Sequence, residues 1–146
     1  AFETLKNFDQ VDKNKTGAIG FCFGGKCALD LARSGEDIKG VVSFHGLYDA
    51  PTASTGKQFK GTLKIDSSIL ILHGYDDPMA TPKSMIDLAD ELNSKKAKWQ
   101  IHAYGNVGHA FTNPEANQRE NGLFYDQYAD EHSWNEMKNF FSKLFI

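Results

Sequence analysis

Gly20-Phe21-Cys22-Phe23-Gly24-Gly25 is the stretch that most restricts what this chain can become. An apolar run, Gly17 to Phe21, leads into it, and an Ala/Leu-rich segment from Cys27 to Arg33 follows. A strand, one exposed nucleophile between glycines and then a helix make the layout of a nucleophile elbow, here with a thiol. Such a turn forces the nucleophile toward a strained backbone conformation, so its neighbours are expected to be small. Gly20 and Gly24 sit two residues to either side of Cys22, and Gly25 lets the next helix pack close to the strand.

The rest of the chain supplies more strands and helices in alternation. A helix is expected over roughly residues 2–11, a polar turn over 12–16, a strand over 16–21 and a helix over 24–34 that Gly35 ends. Val41, Val42 and Phe44 mark a buried parallel strand over 40–45. Residues 46–64 are polar and read as a long loop. Ser68 to His73 is the clearest buried strand, and Thr81 with Pro82 supplies an N-cap and first-turn proline for the next helix. Met85, Leu88, Ala89 and Leu92 form its apolar stripe. Residues 99–104 alternate apolar and polar as a strand. Ser133 and Glu136 read as a capping box for a last helix with Trp134, Met137, Phe141 and Leu144 on its core face. The pattern predicts one α/β domain over residues 1–146, a mostly parallel sheet of about four strands with helices on both faces. Val41, Ile71 and Leu88 should be buried in it.

Composition narrows the function classes. The 146 residues carry 16 basic and 19 acidic side chains, a net charge of −3, so nothing recommends a nucleic-acid partner. No apolar run reaches the roughly 18–20 residues of a membrane span. Ala1-Phe2-Glu3 lacks the features of a signal peptide, and the absent initiating Met points to a processed or shortened chain. Cys22 and Cys27 form no CxxC motif, point to different sides of a helix start and are expected to stay reduced, in a cytoplasmic setting. Cys27 reads as a small apolar residue on the buried face of its helix.

Functional residues of open α/β sheets gather at the carboxyl ends of the strands, and Cys22, Asp77 and His109 all fall there. Acyl transfer needs a nucleophile, a base, a group that orients the base, and oxyanion donors. Cys22 would be the nucleophile, at a helix N-terminus that stabilises developing negative charge. The backbone N–H of Phe23 would be one oxyanion donor. Asp77 would orient the base, preferred over Asp76 because a Gly-x-x-Asp turn returns its fourth residue over the sheet edge. His109, on a glycine-rich loop after the last strand, would be the base. His45 and His73 read as packed or hydrogen-bonded strand ends, His102 as a strand residue and His132 as one near a helix start. No two histidines have metal-ligand spacing on one element, so neither metal nor cofactor is expected. The order nucleophile, acid, histidine is that of α/β-hydrolases.

From about Leu5 to the C-terminus the chain resembles the dienelactone hydrolase family, the cysteine branch of those hydrolases. The likeness rests on Gly17 to Gly25, Ser43-Phe44-His45-Gly46, Leu72 to Pro78, Tyr104-Gly105, His109 to Pro114, and Tyr125 to Met137. It implies a Cys22-Asp77-His109 triad that cleaves small-molecule esters or lactones through a thioester, water then releasing the acid with His109 as general base. Family members carry further strands before the elbow strand, with the second oxyanion donor, so the resemblance implies an N-terminally shortened chain whose elbow strand is a sheet edge. Such an edge invites pairing into a homodimer. Dienelactone hydrolases proper hold a substrate carboxylate with an arginine four residues after the histidine. Asn113 stands there, a substrate-binding candidate without the charged fork, which implies a neutral or differently substituted ester at least as readily as a dienelactone. A non-catalytic fragment of the fold, and thioesterase or acyltransferase use of the elbow, are the alternatives.

Overall fold

The computed structural model describes residues 2–49 and 64–146, so most of the expected long loop lies outside the described residues. Four strands, β1 (Gly17–Phe21), β2 (Gly40–Phe44), β3 (Ser68–Gly74) and β4 (Lys98–Tyr104), form one parallel sheet in the order β1-β2-β3-β4. Their register sets Phe21 beside Phe44 and Phe44 beside Leu72, which levels the carboxyl ends of β1 and β2, while β3 runs two residues further and ends level with β4 at Gly74 beside Tyr104. The segments that leave those ends therefore start close together.

Both faces of the sheet are covered, which is why β2 and β3 read as continuous apolar runs. On one face Val41, Ile69 and Ile71 pack against helices α2 (Phe23–Arg33) and α3 (Pro82–Ser94) through Ala28, Leu29, Leu88 and Leu92. On the other, Val42, Phe44, Leu70 and Leu72 meet Ala129 and Met137 of α4 (Gln127–Leu144). Val41, Ile71 and Leu88 are buried as expected. β1 is an edge strand, and Ile19 and Phe21 on its α4 side stay partly open to solvent. Thr81 caps α3 as the sequence indicates, its side chain accepting from the Ser84 N–H. Gly35 follows α2 with φ 83°, the left-handed conformation that ends a helix at little strain for glycine.

Several expectations need correction. The first helix, α1, covers only Phe2–Leu5 and buries nothing, so residues 6–11 form looser turns. Phe2 alone packs against the core from α1, too little apolar contact to hold a longer helix. The last helix starts well before Ser133. The carboxylate of Asp126 accepts from the Ala129 N–H at 2.9 Å and caps it. Ser133 instead lies inside α4, buried, with its hydroxyl donating to the Asp130 carbonyl at 2.9 Å. The buried stripe is Ala129, Ser133 and Met137, and this turns Trp134 outward to 44% exposure. Cys27 is exposed, contrary to its reading as a core residue. The buried side of α2 is Gly25, Ala28, Leu29 and Ala32, and at 100° per residue Cys27 projects from the opposite side. A two-stranded hairpin, β5 (Asn117–Gln118) and β6 (Leu123–Phe124), has no apolar pattern and was not visible in the sequence.

One cation inside the α2–α3 seam also escapes pattern reading. Arg33 is 2% exposed. It donates to Glu91 through Nε at 3.0 Å and Nη2 at 2.6 Å, to Asp30 at 2.8 Å and to the Tyr48 carbonyl at 2.8 Å. Burial opposes its charge, but Glu91 and Asp30 outweigh that and hold the guanidinium above its ordinary value. The fork ties α2 to α3 and to the segment after β2. Arg33→Ala leaves Glu91 with only Lys95, 3.6 Å away, and takes the donor from the Tyr48 carbonyl, and is expected to remove about 3 kcal/mol of stability, measured by urea unfolding. A loss under 1 kcal/mol would mean that the seam holds without the cation.

Candidate active site

Cys22 leaves the end of β1 with φ 52° and ψ −120°, an unfavourable conformation for any residue with a side chain. Its N–H donates to the Phe44 carbonyl at 3.0 Å, which ties the turn to β2, and its own carbonyl accepts from Gly25 at 3.0 Å. The glycines around it do not share one role. A Cβ on Gly20 would run into the Gly24 backbone, and one on Gly25 would come within 2.9 Å of the Gly46 Cα. A Cβ on Gly24 would meet nothing, so the expectation that this position must be small is corrected. Gly24 contributes the backbone that Gly20 touches. Phe23 opens α2, so its N–H has no intrahelical acceptor.

Asp77 and Asp76 part company in the turn after β3. Asp76 points into solvent. Asp77 is 2% exposed, and its Oδ1 accepts from the N–H groups of Met79 at 2.8 Å and Ala80 at 3.2 Å. Those bonds aim Oδ2 at His109, whose Nδ1 lies 2.7 Å away. With Nδ1 donating, a neutral His109 carries its lone pair on Nε2.

His109 is held from behind by the β5–β6 hairpin. Its N–H donates to the Gly122 carbonyl at 2.7 Å, and its carbonyl accepts from Phe124 at 3.2 Å. Gly122 has φ 69°, and a Cβ there would meet the Pro78 ring at 2.8 Å, so only glycine lets the hairpin sit against the Asp77 turn. The ring is buried and Nε2 has no partner among the described residues. Burial disfavours charge on the ring, but the bond it donates to Asp77 and the influence of Cys22 more than offset it and raise His109 above its ordinary value. Cys22 is thus among the groups that favour charge on this ring, and Nε2 is the ring nitrogen that Asp77 leaves free.

The remaining candidates sit elsewhere. Asn113 is exposed, and its Oδ1 accepts from the Glu115 N–H at 3.1 Å in a local turn. His73 pairs with the Tyr48 hydroxyl at 2.8 Å and His132 with that of Tyr104 at 3.2 Å. His102 lies 3.8 Å from Glu136. Among the described residues no group of three or more His, Cys, Asp or Glu side chains could hold a metal ion. No helix among them is long and apolar enough to cross a membrane. Sequence reasoning passed over two residues close to His109. His45 lies with its ring centroid 5.0 Å away, and Thr112 is hydrogen-bonded to His45.

The profile of the dienelactone hydrolase family matches residues 1–145. The chain belongs to the dienelactone hydrolase family. It is 34% identical to an uncharacterized protein of Caenorhabditis elegans, over 99% of this chain and 90% of that protein. Among solved structures it is similar to P91, a dienelactone hydrolase-like promiscuous phosphotriesterase from metagenomic libraries. There the TM-score is 0.83 and the identity 39%, over 98% of this chain and 58% of P91. A second solved structure, m3DLH, gives a TM-score of 0.83 at 34% identity, over 97% of this chain and 57% of that one. The chain spans 46% of the length of a curated relative from Bradyrhizobium, matched at 26% identity over 76% of this chain. The match is to less than two thirds of these longer proteins.

Proposed function

We propose that the site hydrolyses neutral carboxylic esters or lactones with Cys22 as nucleophile, His109 as base and Asp77 as the group that orients it. The observation that carries this reading is the buried 2.7 Å Asp77–His109 pair, with an unpartnered Nε2 close to a thiol on a positive-φ turn. Nε2 takes the thiol proton as Sγ attacks the carbonyl carbon. The oxyanion forms beside the Phe23 N–H, and the C–O bond breaks as the alcohol leaves with the proton from Nε2. Water, deprotonated by the same nitrogen, then cleaves the thioester and frees acid and thiol. The exposed Asn113, engaged in its own turn, offers no charged fork for a substrate carboxylate. The nucleophile must be reduced, which fits a cytoplasmic setting.

The likeness to P91 favours a second substrate class for the same thiol, neutral phosphotriesters. Sγ would displace an aryloxide from phosphorus, and water would then break the S–P bond.

The test is intact-mass analysis of the protein quenched during turnover of p-nitrophenyl acetate, with paraoxon as the phosphotriester probe. An acetyl group mapped to Cys22 is expected. Steady turnover with no adduct on Cys22 under any quench would overturn the mechanism. The pH profile adds a second check. Deacylation needs neutral His109, and that residue is held above 6.5. The acid limb of kcat should therefore have its midpoint above pH 6.5, and a midpoint at or below it would take the base role from His109.

A further inference from the structure

His45 is a buried titratable group beside the site that the proposed chemistry leaves unused. It follows β2, the strand next to β1, which Cys22 follows, and is 3% exposed. Its φ of 35° is left-handed, a conformation that persists in a non-glycine residue only where its surroundings hold it. The Leu72 carbonyl accepts its N–H at 2.8 Å. Its ring stands edge-on to His109 at 5.0 Å and to Phe111 at 5.1 Å. Its Nε2 lies 2.9 Å from the Thr112 hydroxyl. Three of the four residues from 109 to 112 thus touch one imidazole.

The other grips on His109 leave a freedom that this one removes. Asp77 fixes the Nδ1 end of the ring, and Gly122 and Phe124 fix the backbone. The ring of His45 bears on the flank of His109 and, through Thr112, on the loop that carries it. Burial, with the adjacent charge of His109, lowers His45 to about 4, partly countered by Asp77. It therefore stays neutral when His109 takes up a proton, and adds no opposing charge beside the imidazolium.

We propose that His45 is a positioning residue that, with Thr112, locks the ring and loop of His109 so that Nε2 faces Cys22. This rests on His109 being the base. A locked base matters because small misplacements at a reacting centre can cost up to about 10²-fold in rate.

The experiment uses Thr112→Val and His45→Phe, singly and together. It combines p-nitrophenyl acetate kinetics with an NMR titration of the His109 ring. Each single change is expected to lower kcat about tenfold with KM within about twofold, a part of that range. The double variant should be no worse than His45→Phe, because both cut one link. The His109 midpoint should fall toward 6.5 as its bond to Asp77 loosens. Unchanged kcat and an unchanged His109 midpoint, with only thermal stability reduced, would make His45 a packing residue and overturn the proposal. Should His45→Phe not fold, Thr112→Val, which loses one hydroxyl, gives the same readings. If turnover did not depend on Cys22, the proposed chemistry would fail by itself, whereas the His109 titration would still decide whether His45 orders that ring.

Discussion

Cys22→Ala is expected to lower kcat for p-nitrophenyl acetate by a factor on the order of 10⁶, the scale on which losing a nucleophile removes covalent catalysis. The fold should not notice. Alanine meets the same left-handed φ of 52° that cysteine does, and the two backbone bonds that secure the turn, to Phe44 and from Gly25, survive. Cys22→Gly separates chemistry from strain more sharply. Glycine adopts positive φ freely, so this variant should be as inactive as alanine yet more stable by about 1 kcal/mol. Equal turnover in Cys22→Ala and the parent chain would refute the nucleophile. A glycine variant no more stable than alanine would show that the turn stores no strain at Cys22.

Asp77→Asn comes next in size. The amide keeps an Oδ1 able to accept from Met79 and Ala80, so the turn stays formed. What changes is the partner of His109 Nδ1, which now faces either a neutral oxygen or an N–H that forces the wrong tautomer. Loss on the order of 10⁴ in kcat is expected for such a change. Asp76→Asn, in solvent, should stay within about twofold, the scale of a surface change. The reverse ranking would move the orienting role to Asp76. A stability signature accompanies the kinetic one. His109 is raised above 6.5 in the folded chain, so its pairing stabilises the fold fully below that pH and fades as pH climbs through the raised value. Asp77→Asn should flatten this dependence, and an unaltered pH–stability curve would count against the pair.

The legible parts of the chain were those where one physical demand dominates. β2 and β3 are buried on both faces, and such strands are apolar over most of their length. The turn at Cys22 needs Gly20 and Gly25 for steric reasons that show in sequence. The preference for Asp77 over Asp76 came from turn geometry, and the structure places Asp77, not Asp76, against His109. The illegible parts depend on partners distant in sequence. Ser133 and Glu136 imitate a capping box, but the cap that operates is Asp126, and the six residues from the helix start to Ser133 carry no apolar stripe strong enough to say so. Gly122 and Phe124 hold His109 through backbone groups that every residue type possesses. Arg33 looks like any cation at the end of a helix until α3 brings Glu91 to it. His45 reads as a strand end, and only folding sets the 109–112 loop against its ring.

The backbone hold on His109 also fixes an order of events during synthesis. Gly122 and Phe124 lie downstream of His109, and Cys22 lies far upstream of all three. At roughly 5–20 residues added per second, about a hundred residues separate the emergence of the thiol from that of the hairpin, an interval of roughly 5–20 s. Through that interval the ribosome carries a thiol with no base beside it. Under the proposed mechanism a nascent chain stays without hydrolytic activity until residues 122–124 have emerged, and premature termination before residue 124 would yield a fragment that retains the thiol but cannot fasten the histidine.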